Sequence, residues 1–307
     1  MANPTMLEIA TAIGGLQPEL VDALVGDNGS ALFRVLPMKA IIGLTEQFIQ
    51  KSERPTVAFR NFAGKVTASK TGKIPVQEGV FMLSGASELD APTTDKTADP
   101  DQERADEALS FLESIGYKLS YSSFYGSNKI DGGYDGLLKR LPTTAETYVA
   151  GGASNETVSI YGLKLGRGKF QGIYNPGPGG EIIQTSDFGK IAVKDSNGQW
   201  VSSYVTMFDG CFGLAQYHPK AIGRIGKLDS SHKPTAAMIT SLFQKMKWKP
   251  DVLITNMEGA GWLNELKQAV MKMSPDDPNF DISMSDYNGI PILVDSAIVD
   301  DENTVTV

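Results

Sequence analysis

The hydrophobic and polar positions change rhythm several times along the chain, and each change predicts a different kind of element. Two short amphipathic pieces, at 5–13 and 18–25, are separated by Gly14, Gly15 and Pro18 and followed by DNGS at 27–30. Each has two or three turns, too few to persist alone in water. Residues 1–43 are therefore expected to form an arm that packs on another surface. Residues 44–90 are rich in β-formers, among them Phe48, Ile49, Val57, Phe59, Val66, Ile74, Val76, Val80 and Phe81. Punctuation by Gly64, Gly72, Pro75 and Gly79 predicts one long hairpin with its tip near 63–72. Arms of about 12–15 residues would project on the order of 40 Å. A lone two-stranded hairpin is marginal in water, so this one also needs a surface to lie on.

The strongest local pattern is helical. Asp99 suits an N-cap, Pro100 the first helical position, and Gln102 can close a capping box. Ala105, Ala108, Leu109, Leu112, Ile115 and Leu119 then recur at spacings of three and four, and Gly126 ends the run. A helix over 100–125 would span roughly 39 Å. Gly116 inside it suggests a close crossing by another backbone. A glycine-rich loop at 129–155 precedes a predicted meander with strands at 157–165, 169–174, 181–185, 189–194, 200–208 and 213–217. Asn197–Gly198 is a strong hairpin turn within it. The final part reads αβαβ: a helix at 235–247, a strand DVLIT at 251–255, a helix from the Asn256 cap to about 271, a polar loop, and a strand GIPILV at 289–294.

Composition sets outer bounds. The length of 307 residues implies about two domains, and 41% hydrophobic residues suffice for a core. A formal charge of −8 argues against a general nucleic-acid binder. One cysteine, Cys211, allows neither an internal disulfide nor a cysteine-based metal cluster. The N-terminal stretch lacks the basic region of a signal peptide, and no run approaches a membrane span, so a soluble, intracellularly made protein is expected.

Candidate chemistry is sparse. His218 precedes Pro219 and His232 lies in a polar loop, and neither has an evident nucleophile as partner. Cys211, in FDGCFGL, reads as a small apolar strand residue. GRGKFQG at 166–172 approximates a phosphate loop but matches neither glycine template and does not open a helix, so it reads as a tight turn. The acid pairs Asp276–Asp277 and Asp300–Asp301 read as solvated. No catalytic, cofactor-binding or metal-binding residues are expected, and no enzyme activity.

The charge, by contrast, is segregated. Residues 51–73 carry Lys51, Arg54, Arg60, Lys65, Lys70 and Lys73 against Glu53 alone. Residues 88–107 carry eight carboxylates, Asp95, Asp99, Asp101 and Glu103 among them, against Lys96 and Arg104. Two merely solvated faces would give the same pattern. The sharper reading lays the hairpin of one subunit across the helix start of another, Arg54, Arg60, Lys65, Lys70 and Lys73 meeting Asp95, Asp99, Asp101 and Glu103, so that complementary charge sets register and speeds assembly.

Several segments carry a resemblance. RPTVAFRNFAGKVTASKTGK (54–73), the long helix ending FYG (124–126), GYDGLLKRL (133–141), SIYGLKLGRGKFQGIYNPG (159–177), GLAQYHPKAIGRIGKLD (213–229) and GIPILVDSAI (289–298) are similar to the major capsid proteins of short-tailed double-stranded-DNA phages. The resemblance covers nearly the whole chain and implies an α+β fold, the tailed-phage and herpesvirus-lineage capsid (Johnson) fold. Its division gives an N-terminal arm (1–43), an E-loop hairpin (44–90), a P-domain (91–232) with a spine helix at about 100–125 and strands at 156–228, and an A-domain (233–307). The loop 129–155 fits either domain. The GLAQYHPKAI block precedes the αβαβ unit, which resembles a permuted strand order.

The resemblance further implies hexamers and pentamers of an icosahedral head that encloses double-stranded DNA without sequence-specific binding. Scaffolding and portal proteins, a decoration protein, location in the virion and assembly in the host cytoplasm come with it. Some relatives cross-link through a lysine and an asparagine. Lys65, Lys70 and Lys73 lie on the right hairpin, but no asparagine and acid match, so a non-covalent shell is expected. A cell-encoded nanocompartment of the same fold, or a monomeric α/β enzyme or ligand-binding domain, are the alternatives.

Overall fold

The computed structural model describes residues 31–305 except 54, 63, 129, 131, 156, 178–181, 195 and 272–285, with the backbone alone for 51–53 and 267–271. The amphipathic pieces at 5–13 and 18–25, Arg54, the loop following residue 271 and the Asp276–Asp277 pair lie outside the described residues.

A short helix Ala31–Val35 leads into strands β1 (Met38–Ala40), β2 (Thr45–Glu53), β3 (Gly72–Gly79) and β4 (Phe81–Asp90). A helical turn, Ala91–Thr94, the long helix Pro100–Tyr125 and the turn Leu137–Arg140 follow. Next come β5 (Tyr148–Ala150), β6 (Val158–Leu163), β7 (Phe170–Tyr174), β8 (Ile183–Lys194), β9 (Trp200–Gln216) and β10 (Ile222–Leu228). The chain closes with a helix Ala236–Met246, β11 (Val252–Thr255), a helix Met257–Met271, β12 (Asp286–Tyr287), β13 (Ile290–Val294) and a 3-10 turn Glu302–Thr304.

The strands form three sheets. A two-stranded ribbon pairs β2 with β3, a five-stranded sheet runs β1-β7-β9-β4 with β8 also on β9, and a six-stranded sheet runs β12-β13-β11-β6-β10-β5. The expected single meander over 156–228 is thereby corrected. β6 and β10 are buried along nearly their whole length and lie in the sheet of β11, while β7, β8 and β9 lie in the sheet of β4. Continuous burial suits the middle of a sheet covered on both faces, and β10 went unread because Gly223 and Gly226 dilute its apolar run. The strands expected at 181–185 and 189–194 are one strand with an irregularity at Asp187–Gly189, and those at 200–208 and 213–217 are one strand of 17 residues. Gly198, at φ +79°, supplies the turn between β8 and β9 that Asn197–Gly198 predicts.

Two further expectations change. The hairpin of 44–90 stops at Gly79, because β4 pairs along its length with β9, from Phe81↔Phe212 to Asp90↔Ser203. Residues 31–41, in the described part of the expected arm, pack into the chain's own core: Leu32, Phe33, Leu36, Met38 and Ile41 are buried. β1 runs parallel to β7, and a β-carbon at Gly172 would stand 2.2 Å from Met38 Sδ, so any larger residue there must displace the Met38 side chain.

The long helix has the predicted bounds. Asp99 caps it by accepting from the Gln102 amide, but the Gln102 side chain turns to Asp106 (2.7 Å) rather than closing the box. Burial is strongest in its second half, at Leu112, Ile115, Leu119, Phe124 and Tyr125, whereas Ala105 is exposed. Asp99, Asp101 and Asp106 at its acidic start thus face water. Gly116 is buried.

Candidate assembly interface

The β2–β3 ribbon is gripped at its root and free at its tip. From Thr45↔Gly79 the ladder runs only to Glu53↔Gly72, so the paired arms are eight or nine residues rather than 12–15. Pro55 has no N–H to continue the ladder, and the described residues of 55–71 form no regular structure apart from a turn at Phe62. At the root, Phe48 packs on Tyr217 with ring centroids 4.3 Å apart, and Gln50 Nε2 donates to the Gln216 carbonyl (2.6 Å). Glu46 accepts from Lys39 and from Tyr217 OH.

On the opposite strand Arg140 binds Glu78 in bidentate fashion, at 2.5 and 2.9 Å, with both side chains largely buried. Arg140 also donates to the carbonyls of Asp135 and Leu214. Replacing Arg140 with alanine is expected to cost about 2 kcal/mol, the range of hydrogen bonds to charged groups. Amide exchange along 72–79 should accelerate while the long helix keeps its protection, and denaturant unfolding with hydrogen exchange measures both.

Beyond the root the ribbon carries apolar side chains into solvent. Val57 is 91% exposed, Phe59 and Phe62 are fully exposed, and Val66 is 73% exposed. Large apolar groups grouped this way mark an interaction site. Among them stand the basic residues. Arg60 donates to the Gly64 carbonyl within the tip. Lys65 and Lys70 make no hydrogen bond or ion pair among the described residues, and Lys73 lies on β3.

The acidic partners sit elsewhere, and no described ion pair joins the two groups within one chain. Asp95 is engaged by its own chain: Lys190 Nζ (2.6 Å) and Tyr204 OH (2.8 Å) bind it and hold its carboxyl below the ordinary range, the Lys190 hydrogen bond foremost. Asp99 caps the helix. Asp101 is exposed, and Glu103 Oε2 is buried without a partner. Arg104, which neutralises part of this surface, binds Asp187 at 2.6 Å and lies over the Tyr204 ring.

A second constellation escapes sequence reading. Arg224 on β10 and Glu302 in the 3-10 turn form an ion pair at 2.6 Å, with side-chain exposures of 2% and 0%. Glu302 also accepts from Ser159 Oγ (2.6 Å), Tyr161 OH (2.8 Å) and Tyr125 OH (3.1 Å). Burial first, and the Glu302 charge second, push both phenols above the ordinary tyrosine range. Nearby, Asp295 accepts from Ser120 Oγ and the Leu32 amide. The C-terminal stretch thus fastens the long helix, the six-stranded sheet and the first short helix together. Asp300, expected in solvent, accepts from Asn256 (2.7 Å), and Asp301 caps the 3-10 turn.

The histidines and the cysteine stay apart from any such cluster. His218 packs on Trp248, His232 bonds Asp229, and Cys211 lies half-buried on β9, its thiol pushed up by burial and by Asp209. No group of three or more potential metal ligands gathers among the described residues.

The family model for major capsid protein GP7 matches residues 38–306, most of the chain. The chain belongs to the major capsid protein family. This capsid protein shares its fold with a chain of the bacteriophage epsilon15 structure, at 19% identity over 88% of each chain with a TM-score of 0.61. The bacteriophage JBD30 capsid matches at 11% identity over 92% of this chain and 99% of the other, with a TM-score of 0.53. The holo-SrpI encapsulin complex of Synechococcus elongatus PCC 7942, at 11% identity, 70% and 89% coverage and a TM-score of 0.46, carries no argument for a nanocompartment. No curated protein matches the chain. The capsid protein is accordingly a structural component of a phage shell and resides in the virion, and the fold is the mixed α+β capsid fold that the resemblance implies.

Proposed function

We propose that copies of this capsid protein join as hexamers and pentamers of an icosahedral head that encloses double-stranded DNA, each copy laying its E-loop tip over a neighbour. One observation carries the reading: Val57, Phe59, Phe62 and Val66 project into solvent from a ribbon whose root alone is held. Fully burying one such side chain is worth roughly 1.5–3 kcal/mol, and a closed shell repeats the contact around every ring.

The tip's cations, Arg54, Arg60, Lys65, Lys70 and Lys73, meet the neighbour's Asp99, Asp101 and Glu103. Asp95 takes part only through the Lys190 and Tyr204 pair it already has. The role is assembly without turnover, and the shell is held without covalent cross-links. The four-part division is retained with its boundaries moved. The E-loop ends at Gly79, and the A-domain comprises the whole six-stranded sheet with its helices, so it takes β5, β6 and β10 as well as residues 233–307. That the five-stranded sheet is complete by Gln216, ahead of the αβαβ unit, supports a permuted strand order. Assembly in the host cytoplasm on scaffolding and portal proteins, with a decoration protein on the finished head, follows from the same reading.

Charge reversal tests it. The variant Lys65→Glu, Lys70→Glu, Lys73→Glu should slow assembly by at least about tenfold at low salt, the scale of electrostatic steering, and leave the subunit's melting unchanged. Light scattering follows assembly. Unchanged kinetics would remove the charge pairing from the account.

A further inference from the structure

Three loops bring a basic surface together at one end of the molecule, and neither the E-loop nor the buried network uses it. The turn between β6 and β7 supplies Lys164, Arg167 and Lys169, the turn before β10 supplies His218 and Lys220, and the end of the helix Ala236–Met246 supplies Lys245, Lys247 and Lys249. Trp248 lies at the centre: the His218 ring packs on it at 4.5 Å, and Lys169 Nζ stands 5.7 Å from its ring. Three carboxylates enter: Asp251 binds Lys164, Glu146 binds Lys220, and Asp286 accepts from the Gly289 amide beside Lys249. Lys245 and Lys249 donate to the carbonyls of Tyr148 and Asn288, which carry no neutralising charge. Arg167 and Lys169 have no carboxylate partner among the described residues, and Lys247 shares the Glu146 carboxylate with Lys220. On a chain of net charge −8, seven cations against the three carboxylates Asp251, Glu146 and Asp286 at one end are a local reversal of sign.

Lys247 strengthens the case. It occupies the left-handed region at φ +59° as the helix C-cap. Glycine or asparagine is the usual residue there and lysine pays a conformational cost, so strain is tolerated where a cation is presented. At about 0.1 M salt charges further apart than roughly 10 Å are screened. A polyanion approaching this end therefore meets the patch and not the chain's overall negative charge.

We infer that this surface binds the phosphodiester backbone of duplex DNA, without base specificity, through Arg167, Lys169 and Lys247. The inference rests on the reading of the chain as a DNA-enclosing shell and confines its contact with the contents to one patch. A multiply charged polymer suits the arrangement better than a single ion, because the cations are spread over separate loops rather than converging on one pocket.

The test uses the purified, unassembled full chain and a fluorescent 20-base-pair duplex, followed by anisotropy. Three phosphate contacts predict that affinity falls about 40-fold between 50 and 200 mM salt. The variant Arg167→Gln, Lys169→Gln, Lys247→Gly should lose binding at 50 mM salt with its melting temperature not lowered, while Lys65→Gln, Lys70→Gln on the E-loop should bind as the parent does. Binding that survives the first variant, or that vanishes only with the second, would overturn the inference. So would a patch variant that binds DNA normally yet forms no shells, since the surface would then contact a second copy. Electron microscopy scores shells separately: a parent chain that never assembles defeats the shell reading whatever the anisotropy shows.

Discussion

Replacing Phe59 and Phe62 together by serine is expected to abolish shell formation and leave a soluble, folded subunit. Both rings are fully exposed in the single chain, so the folded monomer gains little from them. If each ring is buried against a neighbour, its loss removes roughly 1.5–3 kcal/mol. Two rings then weaken every contact by about two to four powers of ten, since 1.4 kcal/mol is tenfold. Repetition around a closed shell compounds the deficit. Sedimentation and electron microscopy at the parent's assembly concentration decide it. Normal particles from the double variant would mean that the tip's apolar residues are bystanders.

Glu302→Ala should be the most destabilising single change in the described chain. It removes the carboxylate that Arg224, Ser159, Tyr125 and Tyr161 share and leaves a buried guanidinium without that counter-charge. Breaking a buried pair from one side costs about 3–5 kcal/mol, a large share of the 5–15 kcal/mol typical of whole domains. The double replacement Arg224→Met, Glu302→Leu should be less harmful than Glu302→Ala, because no charge is then left in the interior. A double-mutant cycle by denaturant unfolding measures the coupling. Independent, additive effects would show that the pair is not the fastening described.

The long helix was legible because its signals are local: Asp99, Pro100 and a three-four apolar spacing lie within one stretch of chain. The ribbon was legible in kind and misjudged in extent. β4 has the same β-rich composition as β2 and β3, and only its pairing with β9, more than a hundred residues away, separates it from them. The division of the middle strands between two sheets was hidden for a related reason, since composition along β6 and β7 does not say which neighbour each will meet. The Arg224–Glu302 network was hidden completely. Its members come from the long helix, β6, β10 and the C-terminal turn, and Glu302 in the run Asp300–Asp301–Glu302 looks like any solvated acid. Charge segregation was visible in the sequence. That Asp95 is satisfied by Lys190 and Tyr204 was not, because β8 and β9 reach it only through the fold.

A reconstruction of assembled shells, resolved well enough to trace residues 55–71, decides where the E-loop tip rests. Phe59 and Phe62 are expected seated against a different copy of the chain at every E-loop position. Tips that rest on their own subunit, or that stand in solvent within closed shells, would contradict that placement.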